Sequence, residues 1–115
     1  DYEKTILVYT MIWSLEQVAD YYHNIFSYLL NSEKNGKISE VVLDIYEDVN
    51  KLFELYYLIF YSFDSNKVSD LKGNCLNVMN EIKKEIKNKN ETDANILLNL
   101  NLISERIYHM TECVI

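Results

Sequence analysis

The sequence predicts an all-α protein, an antiparallel up-down bundle of four helices. Apolar residues recur at every third or fourth position in four separate segments, which is the pattern of amphipathic helices. The chain has no proline and only two glycines, Gly36 and Gly73, so it lacks the residues that tight β-turns need. The joints between the segments are short, which predicts antiparallel neighbours. A length of 115 residues predicts one domain that spans residues 1–115.

The first helix is predicted over residues 6–30, and residues 31–37 form a polar joint around Gly36. The second helix runs to residue 61, with Ser39 as its N-cap. A turn at residues 64–66 precedes the third helix, residues 68–87, and the last helix begins at Thr92.

The periodicity also predicts which side of each helix is buried. The stripe of the first helix is Met11, Leu15, Val18, Tyr22, Ile25 and Leu29, widened by Ile12, Ala19 and Phe26. The stripe of the third is Leu71, Cys75, Val78, Met79, Ile82 and Ile86, and that of the last is Ile96, Leu100, Ile103, Ile107, Met110 and Val114. The second half of the second helix is apolar on nearly all sides, so we expect it to be the most buried element.

Composition and charge exclude several classes of protein. With 18 acidic and 11 basic residues the net charge is −7, which argues against a protein that binds nucleic acid. The most apolar stretch, residues 55–63, is far shorter than the ~20 residues of a membrane span. Two unpatterned cysteines, Cys75 and Cys113, are expected to be buried thiols of a cytoplasmic protein. The sequence shows no credible nucleophile–base pair, so we expect no enzymatic activity.

Acidic residues one helical turn apart are the motif that suggests chemistry. Glu16 and Asp20 share a face of the first helix, and Glu105, His109 and Glu112 share a face of the last, at a constant offset of 89 residues from a similar pattern around Glu16. Like charges at this spacing weaken a helix by a few tenths of a kcal/mol, and a bound metal ion would compensate. These five residues are therefore the predicted ligands of a divalent or trivalent metal ion, namely Mg, Mn, Fe or Zn. The alternative is an ordinary solvated acidic face, because such pairs arise by chance in a chain that is 25% charged.

Residues 15–20, LEQVAD, followed by Asn24-Ile25, resemble the signature of the PhoU family of phosphate-uptake regulators. Residues 104–107, SERI, resemble its second occurrence, although His109 stands where the family has aspartate. Glycine usually precedes that aspartate in the family, and this chain has Ala19 and Tyr108 there. The resemblance implies that residues 38–115 form one three-helix repeat and that residues 1–31 are the last helix of a preceding repeat.

The same resemblance implies a function. It suggests a non-enzymatic regulator of phosphate uptake that binds metal ions through its acidic helix motifs and interacts with a phosphate transporter or a sensor kinase. Related domains form the cytoplasmic tail of sodium/phosphate symporters.

Two further interpretations remain open. Ile12-Trp13, Tyr21-Tyr22 and Phe26 also resemble the first helix of poxvirus Bcl-2-like virulence proteins, which bind host factors. A metal-free helical interaction domain is the third interpretation. The first helix carries aromatic residues beyond its core stripe, Trp13 and Tyr9 among them, so we expect a homodimer or a docked partner segment.

Overall fold

The computed structural model describes residues 1–35 and 37–113, including all of their side chains except those of 32–35 and 113. These residues form four α-helices, α1 (Tyr2–Asn35), α2 (Glu40–Tyr61), α3 (Ser65–Glu85) and α4 (Glu91–Met110), with 3₁₀ turns at Ile86–Asn88 and Thr111–Cys113. No strand occurs among the described residues. The predicted all-α class is confirmed.

Helices that follow one another in the chain run antiparallel, and so do α1 and α4, whereas α2 and α4 run parallel. The side-chain amide of Asn24 in α1 donates a hydrogen bond to Asn99 in α4 at 3.2 Å, and the guanidinium of Arg106 lies 4.8 Å from the ring centroid of Trp13. The N-terminal half of α1 therefore lies beside the C-terminal half of α4, so these two helices run in opposite directions. The short connections at residues 62–64 and 89–90 reverse the chain between α2 and α3 and between α3 and α4.

The central helix is α4, which packs against α1, α2 and α3. Its buried apolar residues are Ile96, Leu97, Leu100, Ile103, Ile107 and Met110. The stripe predicted for this helix is confirmed for every described member, whereas Val114 lies outside the described residues, as does the side chain of Cys113. Cys75 is buried in α3, as predicted.

The prediction that the second half of α2 would be the most buried element is wrong. Tyr57, Leu58, Phe60 and Tyr61 are all exposed, although Tyr56 and Ile59 are buried. The reason is that α3 and α4 cover only one side of α2, while α1 packs mainly against α4. An apolar segment is buried only where a neighbouring helix covers it.

The bounds and the buried face of α1 also differ from the prediction. The helix extends from Tyr2 to Asn35, because the polar residues after Leu30 include no helix breaker before Gly36. Most of the predicted joint is therefore helical. The six-residue stripe is confirmed, because Val18 and Ile25 are buried and its other members pack partly buried against the core. The residues predicted to widen it, Ile12, Ala19 and Phe26, are exposed because α1 lies at the edge of the bundle.

Polar residues occupy the N-cap positions of the other three helices. Asp64 caps α3 by accepting hydrogen bonds from the backbone N–H groups two and three residues on. Asn90 caps α4, which begins at Glu91, one residue before the predicted Thr92. Ser39 occupies the predicted N-cap position of α2, but its side chain makes no capping bond there. Its backbone N–H instead donates to the buried carboxylate of Asp93 at 3.4 Å, which ties the start of α2 to α4.

The bundle is elongated, with extents of 51 × 24 × 20 Å. Within the described residues no helix combines the length and the apolar character that crossing a membrane requires.

Candidate functional site

An apolar groove lies between the N-terminal half of α1 and the C-terminal half of α2. It encloses about 190 Å³. The residues that line it are Met11, Leu15, Phe53, Tyr56, Tyr57, Phe60 and Tyr61. None of them is charged, and residues 55–63 together contain no charged side chain. The groove is thus an apolar surface in a chain that carries 29 charged residues elsewhere, 18 acidic and 11 basic.

The groove has an aromatic rim on α2. The rings of Tyr57 and Tyr61 are 4.7 Å apart, and Phe60 meets Tyr61 edge-on at 5.2 Å. A side-chain hydrogen bond with Tyr61 raises the pKa of Tyr57 above its ordinary value. Aromatic side chains without charge are enriched at the centres of protein interfaces.

A polar bridge joins α1 and α2 beyond the groove, towards the middle of the bundle. The hydroxyl of Tyr22 donates a hydrogen bond of 2.7 Å to the side-chain oxygen of Asn50. The ring of Tyr46 packs edge-on against Tyr22, with the centroids 6.3 Å apart. Burial, with a smaller contribution from Tyr46, raises the pKa of Tyr22 to about 12. From this bridge the groove opens towards the N-terminus of α1.

A second, polar cleft of about 350 Å³ lies between α2 and α3. It contains Asp48, Lys51 and Glu81 together with Asn74 and Asn77. Charges of both signs are present, so the cleft has no single ligand charge that it would select.

The five predicted metal ligands are all exposed: Glu16, Asp20, Glu105, His109 and Glu112. Because α1 and α4 pack side by side, with Trp13 opposite Arg106, Glu16 and Glu105 lie at similar levels of the bundle. Asp20 and Glu112 lie on opposite sides of that level, about 16 Å apart along the helix axes at ~1.5 Å per residue. In the described part of the chain no three His, Cys, Asp or Glu residues are grouped so that they could hold a metal ion. Metal binding by these residues stays a prediction.

Cys75 has no reactive character. Its side chain is fully buried in α3, and burial raises the pKa of the thiol to about 12. The thiolate, which is the nucleophilic form, is therefore absent at physiological pH.

The fold and its groove define a helical bundle with an uncovered apolar surface. Comparison with protein-family models, curated proteins and solved structures finds no match to this chain. Sequence reasoning missed the groove because it assigned the apolar residues of α2 to the core. The charge-free run over residues 55–63 was the signal, but periodicity does not say which of its sides has a neighbour.

Proposed function

We propose that this chain is a non-enzymatic protein-interaction module that binds an amphipathic helix of a partner protein in the apolar groove between α1 and α2. The single observation that carries the proposal is the groove itself, an uncharged and aromatic-rimmed depression on the surface of a bundle whose core includes residues of all four helices. A helix laid into such a groove with residues at i, i+3 or i+4 and i+7 is a recurring mode of recognition.

The charge of the chain indicates the polar side of the partner helix. The net charge is −7, and the nearest exposed charges on α1 beyond the groove are Glu16 and Asp20. A partner helix with one apolar face and basic residues on its other faces would bury the apolar face in the groove. Its basic residues would then lie near these carboxylates.

The experiment uses a designed helical peptide with leucine at the i, i+3, i+4 and i+7 positions and lysine elsewhere. A scrambled peptide of the same composition is the control for charge alone. We expect the patterned peptide to bind at micromolar concentration by calorimetry and the scrambled peptide to bind at least tenfold more weakly. Equal binding of the two peptides would mean that only net charge is recognised, and the proposal would fail.

Two variants locate the binding site. Phe60→Glu changes a groove residue that is 47% exposed, and Leu76→Glu changes a residue of α3 with the same 47% exposure outside the groove. We expect the first substitution to abolish binding of the patterned peptide and the second to leave it unchanged. Circular dichroism checks that both variants remain folded.

The resemblance to the PhoU family supports a narrower form of the proposal. In that form the partner is a phosphate transporter or a sensor kinase, and a metal ion at Glu16 and Asp20 contributes to regulation. The support is the LEQVAD motif of α1. The thermal-shift measurement described in the Discussion tests the metal, and a pull-down with the cytoplasmic parts of such a transporter or kinase tests the partner.

A further inference from the structure

An aromatic stripe runs along the N-terminal half of α1 on a different side from the groove. It consists of Tyr2, Ile6, Tyr9 and Trp13, which are 80%, 47%, 69% and 50% exposed. The spacing of four, three and four residues places all of them on one side of the helix, and it is the spacing of a coiled-coil seam. We call these four residues the α1 stripe.

The helices of the described chain leave most of the α1 stripe uncovered. Trp13 lies opposite Arg106, and α4 ends at Met110, shortly beyond that point. In the same direction α1 continues to Tyr2. The first two turns of α1, roughly 10 Å of helix, therefore extend past the end of α4, where the 3₁₀ turn Thr111–Cys113 makes a smaller contact with α1. Of residues 1–10, all except Leu7 are exposed.

We propose that the α1 stripe is a dimerisation seam, covered by the α1 stripe of a second copy that runs antiparallel about a two-fold axis. The axis passes between residues 7 and 8. Tyr2 of each copy then lies opposite Trp13 of the other, and Ile6 lies opposite Tyr9. The same surface serves both copies, as a two-fold interface requires.

Charge favours a second copy in this arrangement. Residues 5–15 contain no charged side chain, so along the other copy's α1 the charges of the first turn, Asp1, Glu3 and Lys4, meet no like charge. Arg106, which stacks on Trp13, comes to lie beside the acidic first turn of the other copy. Two chains of net charge −7 repel each other at most approaches, and the seam is where they meet without opposing like charges.

The available area sets the strength of the dimer. With about 200 Å² for each large side chain, the exposed fractions of the stripe amount to about 500 Å² per copy, against ~800 Å² for a standard interface. Ile12 beside the stripe, which is 45% exposed, adds to this area. We therefore expect a dimer that dissociates on dilution, with a dissociation constant on the order of tens of micromolar.

Sedimentation and fluorescence over a concentration series test the proposal. Trp13 is the only tryptophan, so its emission reports the seam directly. We expect the wild-type mass to rise towards two copies between about 1 µM and 1 mM, with a blue shift of the Trp13 emission over the same range. A mass of one copy at all concentrations, or a dimer without a shift of Trp13, would overturn the proposal.

Substitutions separate this seam from other surfaces. Ile6→Glu should give a monomer, while Leu76→Glu, at a residue with the same 47% exposure on α3, should dimerise like the wild type. Arg106→Glu should weaken the dimer at least tenfold, and adding Glu3→Arg should restore it. A dimer that survives Ile6→Glu, or a charge exchange that restores nothing, refutes the arrangement. Phe60→Glu in the groove should leave the dimer intact, so failure of the seam and failure of the groove are distinguishable.

Discussion

Replacing Leu100 by alanine tests whether α4 is the central helix. The side chain of Leu100 is 0% exposed and belongs to the core that α4 forms with the three other helices. Removal of a buried leucine side chain costs about 2–5 kcal/mol, the lost transfer free energy plus a cavity term. Since neighbours on three sides hold the cavity open, we expect about 3–4 kcal/mol rather than the lower end of that range.

Two further leucine-to-alanine substitutions, at exposed residues, are the controls. Leu98→Ala is on the same helix at a residue that is 51% exposed, and Leu58→Ala is in the apolar half of α2 at a residue that is 55% exposed. Both should cost less than about 1 kcal/mol, because little apolar surface is buried at either residue.

Equilibrium unfolding in urea, monitored by circular dichroism, gives the three free energies of unfolding. The midpoint should fall strongly for Leu100→Ala alone, with an unchanged m-value. If Leu100→Ala costs no more than Leu98→Ala, the central position of α4 is refuted. If Leu58→Ala costs as much as Leu100→Ala, the second half of α2 is buried on a side that the structure leaves open.

Three further measurements test other parts of the molecule. If Glu16 and Asp20 bind a metal ion, Mg²⁺, Mn²⁺ or Fe³⁺ should raise the melting temperature of the protein. The double substitution Glu16→Gln and Asp20→Asn should remove that rise without destabilising the metal-free protein. A wild-type protein whose melting temperature does not change with metal contradicts the metal hypothesis. Because burial raises the pKa of Cys75 to about 12, this thiol should resist a disulfide reagent at pH 8 until the chain is unfolded, and rapid modification of the native protein would show that α3 is not packed as described. The pKa of Tyr22 is raised from 10.0 to about 12, so its stabilising contribution is complete below about pH 10 and is lost as the pH rises to about 12. Tyr22→Phe removes the hydrogen bond to Asn50 at a cost of about 1 kcal/mol and should flatten this alkaline loss, and an unchanged pH profile would contradict the assignment.

The α-helical class and most core residues follow from the sequence because they depend on local patterns. A 3.6-residue period predicts the buried face of α3 and α4 whichever helices lie beside them, and the described residues of both stripes are buried or packed against the core. The turn at Asp64 was also predictable, since its carboxylate caps the next helix through neighbours two and three residues away.

The groove and the exposed α1 stripe were decided by tertiary packing. Residues 55–63 are apolar enough for a core, yet Phe60 and Tyr61 are exposed because α1 packs against α4 and leaves that side of α2 open. The same arrangement separates Asp20 from Glu112, which sequence spacing alone could not reveal. Local sequence determines which residues are apolar and which segments are helical, whereas the positions of the other helices determine which apolar faces are covered, because burial requires a neighbour.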